Sequence, residues 1–172
     1  MEDLGRVEGL EGEELETWAG LATVLEWLPA ALDAQLQKEA GITHFEYGVL
    51  YALMHAPGGM LRMSVLAGYA NSTLSRLSRA VTRLERRGWL RRAPDPADGR
   101  STLAILTDAG REAARKATPG HVDTVHRLVL DRLSRAQRRQ LKEIVRRILQ
   151  GIEEEGAAEP ASRVRRWQPS AD

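Results

Sequence analysis

Cysteine is absent from the 172 residues, which excludes a disulfide framework, thiolate metal sites and any thiol redox sensor. A charge of one sign is also missing, since 25 Lys and Arg face 24 Asp and Glu, and net charge therefore identifies no partner. No run is apolar enough for a bilayer: Leu21 to Leu32 is interrupted by Glu26 and Pro29 and is too short. The N-terminus is acidic, unlike a signal peptide. Asn71-Ser72-Thr73 matches a glycosylation acceptor, but nothing else suggests secretion, and a cytoplasmic protein is expected. A Gly-rich phosphate loop, His-Glu-x-x-His and Gly-x-Ser-x-Gly are all missing, so a non-enzyme without cofactor is expected. No internal repeat is present.

The charge is present but segregated. Residues 71–100 hold eight Arg against three acids, a local block of the kind that marks nucleic-acid readers. Residues 1–40 hold ten acids and two bases, whereas residues 111–150 hold eleven bases and four acids. Opposite charge on the two ends favours their docking, although exposed pairs contribute little individually.

Periodicity divides the chain into a central unit and two flanks. Trp18, Leu21, Ala22, Leu25, Leu28, Leu32 and Leu36 recur at three- and four-residue steps, predicting a helix over about 13–39 that Pro29 should kink or break and Gly41 should end. Thr43 and Glu46 form a capping-box pattern ahead of the stripe Phe45, Val49, Leu50 and Leu53. Pro57-Gly58-Gly59 stops that helix, and a short one follows at Met63–Tyr69. Asn71 or Ser72 should cap the next, running to Gly88, with Leu74, Leu77, Val81 and Leu84 buried and Ser75, Arg76, Arg79 and Arg83 outward. Trp89–Arg92 and Ser101–Leu106 predict two strands around a charged tip. Thr107-Asp108 starts a helix that Pro119-Gly120 should break or bend, and Ser134 starts another carrying Leu141, Ile144, Val145, Ile148, Leu149 and Ile152.

The expected fold is mainly α with a small β-hairpin wing (α+β). A winged helix-turn-helix lobe at 41–107 is flanked by an N-terminal dimerisation helix at 13–40 and C-terminal dimerisation helices at 108–153, with disorder at 1–12 and 154–172. The flanking helices are too apolar on one face to stand alone. A single antiparallel monomeric bundle would satisfy them, as would a homodimer. The dimer is preferred, because a winged helix reading half a palindrome needs a two-fold partner.

The run from Leu77 through Arg92, the tip Pro94-Asp95-Pro96-Ala97-Asp98-Gly99-Arg100, and the closing Leu106-Thr107-Asp108-Ala109-Gly110 resemble the MarR family of bacterial transcriptional regulators. Asp98-x-Arg100 and Leu-Thr-x-x-Gly are the most specific parts, and the resemblance spans about residues 15–150. It implies a homodimer on a pseudo-palindromic duplex, often a repressor released by a small aromatic or apolar effector. Val65 departs from the acidic residue often found there, and the absence of Cys excludes the thiol-sensing branch. An alternative is a winged-helix protein-interaction or architectural module without ligand response.

The candidate DNA-binding residues are Ser72, Thr73, Ser75, Arg76, Arg79, Arg83, Asp98 and Arg100. Ser72, Thr73, Ser75 and Arg76 lie early on the recognition helix, where short hydroxyls approach bases and phosphates and Arg pairs with guanine; Ser72 also suits a plain N-cap. Arg79 and Arg83 are expected to meet phosphate. Arg100 reaches a minor groove in the resemblance. Asp98 is expected to hold the Arg100 side chain, or to be only a turn residue ahead of Gly99. Trp18, Trp27, His44 and Tyr47 fall where the resemblance places a ligand pocket, although Trp and Tyr at helical spacing are more often core. His121 and His126 are five apart and share no helix face as an i, i+4 pair would, so no metal site is expected.

Overall fold

A computed structural model describes residues 9–156. The expected disorder at 1–8 and 157–172 lies outside the described residues. Helix α1 spans Gly12–Ala40, α2 His44–Met54, α3 Met63–Tyr69, α4 Leu74–Arg86, α5 Asp108–Leu128 and α6 Arg135–Glu154. Strands β1 (Met60–Arg62), β2 (Leu90–Asp95) and β3 (Asp98–Leu106) form one antiparallel sheet in the order β1-β3-β2. The expectation of a mainly α fold with a β wing holds. The sequence did not signal β1: three residues after a Gly-Gly turn carry no periodicity, and only the pairing of Met60, Leu61 and Arg62 with Ile105, Ala104 and Leu103 defines it. Pro94 is tolerated because β2 is an edge strand.

One core joins α2, α3, α4 and the sheet to the end of α1 and the start of α5. Leu36, Leu50, Leu53, Leu66, Leu77, Val81 and Leu84 are fully buried in it, each contributing about 1.5–3 kcal/mol relative to exposure. Thr43 caps α2 in a complete capping box with Glu46. Helix α4 ends in a Schellman motif around Gly88 (φ 72°), where Gly88 N–H donates to Glu85 O and Trp89 N–H to Leu84 O.

Several expectations fail here. Of the expected kink or break at Pro29 and break or bend at Pro119, the break does not occur: α1 runs through Pro29 and α5 through Pro119 as single helices. The carbonyl four residues before Pro29 belongs to Leu25, an exposed residue, so solvent is available to the group whose helical donor proline lacks. Gly120 serves a close approach instead of a break, because an added Cβ would overlap the Glu39 carboxylate on α1. Neither Asn71 nor Ser72 caps α4. Thr73 does, accepting from Arg76 N–H at 3.2 Å, while Asn71 turns the chain in the left-handed region (φ 42°). Leu74 is not buried: it is 54% exposed, because the first helical turn projects past the core.

The flanks are the least covered parts. Helix α6 buries none of its residues, and Leu141, Ile144, Val145, Ile148, Leu149 and Ile152 are all exposed. Trp18, Val24, Leu25 and Trp27 are exposed on α1 as well. On the polar side of α6, Arg146 and Arg147 converge on Glu143 and hold its carboxyl down to about 2. Among the described residues, no helix is long and apolar enough to cross a membrane.

Candidate nucleic-acid interface

With 3.6 residues per turn, α4 presents four faces. Leu77, Val81 and Leu84 face the core. One flank is engaged by α2, where the Arg76 guanidinium lies over the Phe45 ring at 4.6 Å and Arg83 Nε donates to buried Glu46 at 2.6 Å. The opposite flank is engaged by the wing through Arg92, which donates to Ser78 O at 2.8 Å and Thr82 Oγ1 at 3.1 Å and pairs with Glu85 at 2.8 Å. The remaining ridge, Ser75, Arg79 and Arg86 at i, i+4 and i+11, is exposed. Arg79 and Arg86 make no hydrogen bond or ion pair among the described residues.

The wing tip is built by two aspartates. Buried Asp95 accepts from Ala97 N–H at 2.9 Å and from Arg62 Nε at 2.6 Å, and these two contacts hold its carboxyl below the usual carboxylate range, the backbone bond more than the guanidinium. Asp98 accepts from Ser101 Oγ at 2.8 Å and from the Arg100 backbone N–H at 3.2 Å, which also lower its pKa. The expectation that Asp98 holds the Arg100 side chain is therefore corrected: the short carboxylate reaches the N–H two residues on, an Asx-type turn. Arg100 is exposed at the tip. Both ionised acids are spent on the turn, and the tip presents Arg100 outward as a cation.

The predicted residues thus separate. Thr73, Ser75 and Arg79 lie at the start and along the outer ridge of α4, with Ser72 just before it donating to Thr73 O at 3.2 Å, and Arg100 lies across a cleft of about 450 Å³ between α4 and the wing. Arg76 and Arg83 engage α2. Sequence reasoning missed Arg62 and Arg92, which hold the wing. Alternation supplied a signal for Arg92, which shares the strand face of buried Leu90; Arg62 and Asp95 are 33 residues apart and carried none.

The four candidate effector residues do not converge. Trp27 is 72% exposed and Trp18 is 48% exposed, whereas Tyr47 is buried. Tyr47 packs 4.6 Å from the ring of buried His121, which lies 5.4 Å from His44. Thr118 Oγ1 donates to Ala114 O, leaving it to accept from the Tyr47 hydroxyl at 3.1 Å. Burial, and then the neighbouring His44, lower the His121 pKa. His126 sits apart and meets Asp131 at 3.1 Å.

The model of the MarR family matches residues 40–101. The crystal structure of Sco3205, a MarR family transcriptional regulator from Streptomyces coelicolor, in complex with DNA, superposes with a TM-score of 0.80 at 45% identity, covering 86% of this chain and 92% of that one. The transcriptional regulator HosA of Escherichia coli O111:H- is 32% identical over 108 residues, 63% of this chain and 78% of HosA. The transcriptional repressor MprA of Escherichia coli (strain K12) is 27% identical over 120 residues, 70% of this chain and 68% of MprA.

Proposed function

Since this chain belongs to the MarR family and is a DNA-binding transcriptional regulator, we propose that it represses transcription as a homodimer on a pseudo-palindromic duplex, with the outer ridge of α4 in the major groove and Arg100 in the adjacent minor groove. The observation that carries this reading is the outward ridge itself. Both flanks of α4 are engaged within the protein, and Ser75 and Arg79 are left at the face a duplex would meet. Arg79 is assigned as the base reader, since an Arg fork matches guanine O6 and N7. Ser72, Thr73 and Arg86 are assigned to phosphate, and Arg76 and Arg83 to orienting the helix against Phe45 and Glu46. A relative solved with DNA favours this reading over a protein-interaction or architectural module. The role is binding, not catalysis, and a protein acting on a bacterial chromosome works in the cytoplasm.

The second copy is argued from the uncovered flanks. Helix α6 leaves an apolar face exposed, and α1 leaves another, the kind of surface that marks an interface. Helix α6 does not fold back to bury itself, which disfavours the monomeric bundle. The acidic start of α1 and the basic α6 are complementary in charge. A small aromatic or apolar effector is assigned to the joint of α1, α2 and α5 around His44, Tyr47 and His121. Trp18 and Trp27 are assigned to the dimer face.

Arg79→Ala is expected to weaken binding to a duplex selected from a random library by about 1–3 kcal/mol and to relax the preference at one base pair. Arg100→Ala should weaken it by a similar ~1–3 kcal/mol, with dimerisation and circular dichroism unchanged. Fluorescence anisotropy with the selected duplex and its single-base variants checks both. If Arg79→Ala kept full affinity and base preference, the ridge assignment would be wrong.

A further inference from the structure

Arg92 joins the two elements assigned to opposite grooves. It stands two residues after Leu90 on β2, so its side chain leaves the strand on the same face and runs under α4. Its guanidinium reaches three positions along one side of that helix. One terminal nitrogen donates to Ser78 O at 2.8 Å, Ser78 Oγ at 3.3 Å and Thr82 Oγ1 at 3.1 Å, and the other pairs with Glu85 at 2.8 Å. Ser78, Thr82 and Glu85 are spaced i, i+4 and i+7, so the contacts resist both sliding and rotation of the helix against the strand. Both partners of the ion pair are half-buried, where a rigid fork holds a geometry that a point charge does not. Ser78 and Arg92 also line the cleft that separates Leu74 on α4 from Arg100 and Ser101 on the wing. From its other side, the wing is tied to β1 by Arg62 and Asp95 at 2.6 Å.

We propose that Arg92 is a positioning residue for operator binding: it fixes the spacing between recognition helix and wing, so that Arg100 reaches its groove only when α4 is seated in the other. This rests on the DNA-binding assignment of Arg79 and Arg100 above. Without the fork, the hairpin stays folded through its pairing with β3 and β1, but its tip samples orientations in which Arg100 misses the duplex. A contact that must be both made and aligned loses its worth when alignment is lost.

The test is a double-mutant cycle on the selected operator, using the full chain. Arg100→Ala in the wild-type background should weaken binding about tenfold or more. Arg92→Met, which keeps the stem and removes the donors, should weaken binding by a comparable factor. In the Arg92→Met background, Arg100→Ala should cost less than about twofold, because the wing contact is already lost. Hydroxyl-radical footprints should show minor-groove protection lost, and methylation protection at the major groove retained, with sedimentation and circular dichroism unchanged. Glu85→Gln removes only the ion pair and should reduce the coupling in part. It carries the test if Arg92→Met does not fold. Full additivity of the Arg92 or Glu85 variant with Arg100→Ala overturns the proposal while leaving the wing assignment intact. A wild-type background in which Arg100→Ala has no effect overturns both.

Discussion

Gly110→Ala is expected to destabilise the fold by at least ~3 kcal/mol, the upper range for overpacking, and to lower the melting temperature by on the order of 10 °C. A Cβ at this position would overlap the carbonyl oxygen and carbon of Trp89 and crowd Leu106 Cδ1. The overlapped group is backbone, so no rotamer change relieves it. That backbone is itself fixed. Trp89 O accepts from Thr107 N–H at 3.1 Å, and Thr107 Oγ1 donates to Gly88 O at 2.7 Å while accepting from Gly110 N–H at 3.0 Å. The Leu-Thr-x-x-Gly segment is thus a joint: Thr107 caps α5, and Gly110 lets that helix lie directly on the turn linking α4 to the wing. Gly48→Ala is the control. A Cβ added there, in the middle of α2, would meet nothing within 4 Å, and the change should be neutral or stabilising by up to ~1 kcal/mol. Equal melting of Gly110→Ala and wild type would contradict this packing.

Ile144→Glu combined with Ile148→Glu is expected to convert the protein to a folded monomer and reduce operator affinity by roughly 10²–10⁴-fold, the gain that linking two binding modules supplies. The two residues stand four apart on one side of α6, and Ile144 is 52% exposed in the single chain. Charge there costs the monomer little, whereas two carboxylates placed in a dry interface on each subunit face a desolvation penalty of several kcal/mol per ion. Sedimentation equilibrium with circular dichroism separates loss of dimer from loss of fold. A variant that remains dimeric would move the interface elsewhere.

Much of this was legible in the sequence where one physical cause dominates. The Thr43–Glu46 capping box, the burial of Leu77, Val81 and Leu84 on α4, and the left-handed Gly88 each follow from local chemistry, and the structure has them. The failures come from competition. Pro29 and Pro119 break helices in isolation, yet the remaining ladder and packing of α5 on α1 carry the helix through. Leu74 fits the apolar spacing, but burial ends where α3 and the sheet stop covering the helix. Arg76 and Arg83 are outward and exposed, as periodicity expects, but periodicity carries no signal of the Phe45 and Glu46 contacts that the position of α2 adds. Arg62 and Arg92 depend on contacts distant in sequence, beyond the reach of any periodic pattern.

The most direct test is a sedimentation titration of the selected duplex with the full chain at several salt concentrations. Two chains are expected per pseudo-palindromic duplex, with affinity falling at a log–log salt slope of ~0.9 for each phosphate neutralised. One chain per duplex, or an affinity unchanged by salt and by scrambling the sequence, would contradict it.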